Sequence, residues 1–174
     1  MVVSDPMSEP KSEGRRYALE AFFGPGRDEM VSYTPHAHHL GMRVIEIGAA
    51  YALCTLPYRE EIIGDPQRRV VFGGAITSLL DHASGIAVAC ALEELVPVAT
   101  IDLRVDYLRA AEPGLDLFAR ADCIRVTRNV AFVRAIAYDR DPADPFASCM
   151  GAFMIGANRS GAPMAQLLQK ASRS

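Results

Sequence analysis

From Thr100 to Leu108 the chain alternates strictly between apolar and polar positions. Ile101, Leu103, Val105 and Tyr107 fall on one face, and Asp102, Arg104 and Asp106 on the other. A period of two predicts a half-buried β-strand. Three more strand-like stretches follow: Leu115–Thr127, Val130–Tyr138 and Phe146–Ile155. The first two are joined across Arg128-Asn129 as a hairpin. Pro113-Gly114 and the segment Asp139–Pro145 supply the other turns. Upstream, Leu40–Leu56 is also extended in character, with Gly48 as a bend or bulge and Pro57 as its stop. Between the two strand regions lies AITSLLDHASGIAVACALEEL, opened by Gly73-Gly74. Its length and Ala/Leu content predict a helix. Apolar residues occur almost all round it, so it is expected to be buried on most faces. Polar Thr77, Ser78, Asp81, His82 and Ser84 gather in its first half, and Glu93, Glu94 and Pro97 mark its end.

The remaining segments are less regular. Residues 1–14 read as a disordered tail. RRYALEAFF over 15–23 reads as a short helix closed by Gly24-Pro25-Gly26. Residues 27–40 are polar and turn-like, and residues 59–70 read as a charged loop. After Gly156 the chain is small and polar, with a weak helical pattern near Met164–Leu168. The expected organisation is one domain over 15–157, with tails over 1–14 and 158–174. Strands segregated from one long apolar helix give an α+β layer fold. A single antiparallel sheet around that helix is the economical solution, and its unprotected edges favour self-association.

Composition narrows the functional classes. The 174 residues carry 18 basic and 21 acidic side chains, a formal net charge of -3. That balance is not built to coat nucleic-acid phosphates or anionic lipid. Cys54, Cys90, Cys123 and Cys149 are widely spaced, without the Cys-x-x-Cys pairing of zinc or dithiol sites. Such cysteines suit a reducing compartment. The N-terminal residues lack the apolar stretch of a signal peptide, and the apolar run around Ile86–Leu92 is short of a bilayer span. The expectation is a soluble cytoplasmic protein with no nucleic-acid or membrane partner. No Gly-x-Ser-x-Gly elbow, phosphate loop or dinucleotide fingerprint occurs.

The most informative residue is Asp81. Aspartate is a poor interior helix residue, and burying its charge is costly without partners. Gly73-Gly74 adds to this. The first N–H groups of a helix lack intrahelical partners and carry partial positive charge. They can donate to a carbonyl, and more strongly to the oxyanion formed from it. Gly85 lies one turn beyond Asp81 on the same face and leaves room beside the carboxylate. His82 points about 100° away from Asp81 on a helix and reads as a packing or interface residue. His36, His38 and His39 read as loop residues at the mouth of the site rather than as metal ligands.

The combination VFGGAITSLLDHASGIAV, then TIDLRVDYLRAAEPG, then RNVAFVRAIAYD resembles the hotdog-fold acyl-CoA thioesterases of the phenylacetyl-CoA (PaaI-like) type, over roughly residues 35–157. The resemblance implies a curved antiparallel sheet wrapped around a central helix, and two subunits pairing to form two sites at their interface. It implies that Asp81 is the catalytic carboxylate, acting as general base or as nucleophile. It further implies that Gly73 and Gly74 polarise the thioester oxygen through backbone N–H, and that a Thr100 hydroxyl supplied by the other subunit helps position the water. The family's usual histidine before the glycines is Phe72 here, and the family's upstream Asn or Gln is best matched by Gln67, with Asp65 second. Phe72, Gln67, Ser84 and Gly85 are thus the expected substrate-binding residues, with no metal and no cofactor.

The reading is a homodimeric or tetrameric hydrolase of acyl-CoA thioesters. A non-catalytic acyl-CoA-binding or sensing protein is the alternative, and an acyl-thioester dehydratase or hydratase a weaker one. The latter wants a His–carboxylate pair, and no histidine lies in the right segment.

Overall fold

The computed structural model describes residues 34–156. The expected tails and the helix over 15–23 lie outside the described residues.

Residues 35–39 form a short helix, α1 (Pro35–His39), within the segment expected to be turn-like. Pro35 sits at its first position, where a missing N–H costs nothing. The extended region divides at the turn after Gly48 into β1 (Arg43–Ile47) and β2 (Tyr51–Leu56), paired antiparallel with an irregularity between Val44 and Glu46.

The expected charged loop over 59–70 carries more structure than its composition suggests. It holds a 3-10 turn, Glu60–Ile62, and a two-stranded ladder of β3 (Ile63–Asp65) and β4 (Val70–Val71). Two apolar anchors account for this: Ile62 and Val71 are buried. The Asp65 carboxylate accepts the N–H groups of Gln67 and Arg68 at 3.0 and 3.1 Å, closing the turn between the strands.

The long helix α2 (Gly73–Ala91) starts at the glycine pair, and Leu92 turns extended at its end. Four strands follow: β5 (Val98–Tyr107), β6 (Leu117–Val126), β7 (Val130–Tyr138) and β8 (Ala147–Ile155). The main sheet runs β1-β2-β6-β7-β8-β5, every pair antiparallel. Helix α2 touches all six strands. Leu79, Leu80, Ala83, Ala87 and Val88 of the helix are fully buried. The strands beneath present small side chains, among them Ala52, Ala119, Ala121, Ala131 and Ala137, all fully buried. Small residues let the helix axis approach the sheet closely, so a modest number of large side chains fills the core. By length and hydropathy α2 could cross a bilayer, yet over half of it is buried inside the protein. It is the core helix.

The periodic reading of β5 needs one correction. Ile101 was expected to share a face with Leu103, Val105 and Tyr107, but it is 53% exposed. The register shifts between Thr100 and Asp102, with Thr100 opposite Phe153 and Asp102 opposite Ala152. Ile101 is the extra residue of a bulge, and a bulge reverses the in–out phase of a strand. Thr100 on one side of it and Tyr107 on the other therefore both reach α2, although they are seven residues apart and of opposite parity.

Candidate active site

Two clusters form along α2. At its N-terminus, Phe72 is the cap residue and makes no side-chain cap bond. A Ser, Thr, Asp or Asn there would occupy an early N–H of the helix; Phe cannot. Ala75 N–H bonds the Phe72 carbonyl at 3.0 Å, so the N–H groups of Gly73 and Gly74 precede the first helical bond. Their carbonyls are held from two directions. The Tyr107 hydroxyl donates to the Gly73 oxygen at 2.8 Å, and the Ser78 hydroxyl donates to the Gly74 oxygen at 3.0 Å.

Both glycines are closely overlain. A Cβ on Gly73 would lie 3.1 Å from the Tyr107 hydroxyl, and one on Gly74 would run into the Phe72 ring. A cavity of about 420 Å³ opens beside this turn, lined by Leu40, Ile62, Ile63, Phe72, Gly74 and Ala75, with His36, Glu61 and Ser78 as its polar members. His36 enters from α1, its Nε2 lying 3.3 Å from the Ser78 hydroxyl. Of the three histidines expected at the mouth of the site, His36 lines this cavity and His38 and His39 do not.

Two turns further on, Asp81 is half-buried. The Thr100 hydroxyl donates to Asp81 Oδ1 at 2.7 Å. No other hydrogen bond to this carboxylate comes from the described residues, so its second oxygen is open to a ligand or water. The resemblance implied a threonine supplied by the other subunit; here the hydroxyl reaches the carboxylate of its own chain, because the bulge at Ile101 turns it inward. Burial lowers the pKa of His82, against an opposing pull from Asp81, so its imidazole is neutral at pH 7. Its Nε2 is buried with no partner among the described residues. Burial first, and the Asp81 charge next, push the Cys149 thiol up to about 11. Cys149 is therefore no thiolate nucleophile at neutral pH.

The other expected substrate-binding residues are placed differently. Gln67 is exposed in the β3–β4 turn and does not line the cavity. Ser84 is fully buried, its hydroxyl without a partner among the described residues, and so faces the core rather than a ligand. The sequence signal for Ser84 was its polarity alone, which does not tell helix faces apart. Gly85 does leave space: a Cβ there would find only Phe153, at 3.9 Å. Among the described residues no group of three or more His, Cys, Asp or Glu is gathered for a metal. Tyr107 was not read as a site residue of the glycine turn, and its approach depends on long-range packing.

Residues 69–145 match the family model of the thioesterase superfamily. A solved protein of Pseudomonas aeruginosa is 43% identical, with a TM-score of 0.67, covering 72% of this chain and 93% of that one. The chain belongs to the thioesterase superfamily. The medium/long-chain acyl-CoA thioesterase YigI of Salmonella typhimurium is 28% identical over 139 residues, 72% of this chain and 88% of that protein. The Escherichia coli PaaI protein, 17% identical with a TM-score of 0.68, shares the fold over 80% of this chain and 96% of its own. The resemblance to PaaI-type hotdog proteins thus extends to the whole sheet-and-helix architecture, and the superfamily is one of thioester hydrolases.

Proposed function

We propose that this thioesterase hydrolyses acyl-CoA, and that each active site is shared between two copies of the chain. The observation that carries the shared site is the spacing on α2. Gly73 and Asp81 are eight residues apart, which at 1.5 Å per residue puts them about 12 Å apart along the axis. Attack on a thioester requires the oxyanion donor and the water-activating group to sit within a few ångströms of one carbonyl. One chain therefore supplies the free N–H groups at Gly73 and Gly74, and a second chain supplies Asp81 with Thr100.

In this arrangement the thioester oxygen accepts from the glycine turn of one subunit. The Asp81 carboxylate of the other subunit, its Oδ1 held by Thr100, takes a proton from water through its open oxygen. The water attacks the carbonyl carbon, and negative charge collects on the oxygen facing the helix N-terminus. Collapse of the tetrahedral intermediate breaks the C–S bond and releases the CoA thiolate, which takes up a proton, and the free acid. The aliphatic and Phe72 lining of the cavity beside the glycine turn suits an apolar acyl group, and the acyl-CoA activity of YigI supports the choice of thioester. Four free cysteines, three of them buried, support a reducing cytoplasmic setting.

The test is thiol release from short, medium, long and aromatic acyl-CoAs, followed by a mixing experiment. Asp81→Asn and Gly73→Val should each be strongly impaired as pure proteins. Co-refolded, they should regain activity, because a mixed dimer contains one site with both intact halves. Turnover without complementation would overturn the shared site. Binding of acyl-CoA without turnover would favour the sensing reading.

A further inference from the structure

We propose that Tyr107 is a positioning residue for the oxyanion donors, resting on the thioesterase mechanism above. Its hydroxyl lies 2.8 Å from the Gly73 carbonyl oxygen and 3.0 Å from the Thr77 hydroxyl. A carbonyl only accepts, and a tyrosine hydroxyl has one proton. Tyr107 therefore donates to Gly73, and Thr77 donates to Tyr107. The result is a directed chain from Thr77 through Tyr107 to the Gly73–Gly74 peptide. Successive bonds in such a chain polarise one another.

The peptide plane carries this to the donor side. In a trans peptide the Gly73 C=O and the Gly74 N–H are antiparallel and rigidly linked. A bond that fixes and polarises the carbonyl therefore fixes the direction of the Gly74 N–H and strengthens it as a donor. Two adjacent glycines are the residues least able to hold a conformation by themselves, and the cap residue Phe72 contributes no side-chain bond. The hydroxyl from β5 supplies what the local sequence lacks. A Cβ at position 73 would stand 3.1 Å from that hydroxyl, so a side chain there would press on the Tyr107 contact. The bulge at Ile101 is part of the device, since it aims Thr100 and Tyr107 at the same helix.

The experiment compares wild type, Tyr107→Phe and Thr77→Val in thiol release from the best acyl-CoA, with the thermal midpoint measured alongside. Tyr107→Phe keeps the ring and removes only the hydroxyl. The expected result is a roughly ten-fold fall in kcat with KM within about two-fold of wild type. Thr77→Val, which removes only the outer donor, should lower kcat by about three-fold. The acid limb of the pH–rate profile should stay in place in both variants, because the general base is untouched. A merely structural role would instead lower the thermal midpoint and leave kcat of the folded protein unchanged; that outcome overturns the proposal. If Tyr107→Phe does not fold, an unchanged kcat in Thr77→Val overturns it equally. Failure of the mechanism itself reads differently: wild type would release no thiol, or Asp81→Asn would keep its activity.

Discussion

Two aspartates, one on the central helix and one in the loop after β7, show how one side chain serves two purposes. Asp139 follows β7 and its side chain is 2% exposed. Arg109 grips both of its oxygens at 2.8 Å, and the Glu112 N–H adds a third bond at 2.8 Å. The hydrogen bonds from Arg109 outweigh burial and hold this carboxyl down at about 2. Arg109 also bonds the Asp144 carbonyl at 2.8 Å, so the pair ties the β5–β6 connection to the β7–β8 loop. Among the described residues Asp81 has one hydroxyl partner and no cation, and one of its oxygens has no partner. A saturated carboxylate is structure; a half-saturated one is the group that the proposed mechanism uses. Asp139 lies in a polar loop sequence and Asp81 within an apolar helix, and their partners complete the distinction.

The sharpest way to break this contrast is to remove each charge while keeping its shape. Asp81→Asn should cost about 10³-fold in kcat, within the range for a positioned general base, with little change in the thermal midpoint. Equal destabilisation by Asp81→Asn and Asp139→Asn would erase the distinction. Gly73→Val comes next, at about 10²-fold in kcat, the scale of losing one oxyanion donor.

Asp139→Asn should leave the activity of the folded enzyme unchanged and lower unfolding free energy by about 2–3 kcal/mol, read from denaturant titration. Thr100→Ala should be milder, about ten-fold in kcat, as one hydrogen bond to a charged group is lost. Finally, the two carboxylates separate by pH. The Asp139 pKa is depressed on folding, so its contribution is complete above its unfolded value near 4 and disappears as pH falls through about 2. Wild type should therefore lose stability in that window, and Asp139→Asn should lose less across it.

The site was partly legible before the structure. Asp81 and Gly73-Gly74 break local rules of helix composition, and such conflicts mark function. Thr100 came through the resemblance, but its route to Asp81 did not, because strict alternation places it on the face opposite Leu103. A one-residue bulge cannot be seen in a pattern whose side chains read equally well without it. Ser84 and Gln67 are the converse: polar residues near the motif that folding directs into the core and into an exposed turn. The ladder inside the expected loop over 59–70 escaped because its strands are only three and two residues long, too short for a period.

The sequence by itself determined the order of the long elements, the apolar central helix, the α+β class and the carboxylate on that helix. These follow from periodicity and composition, which act between near neighbours. Tertiary structure decided which aspartate is saturated, which hydroxyls reach α2, and that Tyr107 braces the glycine turn. Each of those depends on strand register between segments some twenty to fifty residues apart, where a shift of one residue reverses every side chain.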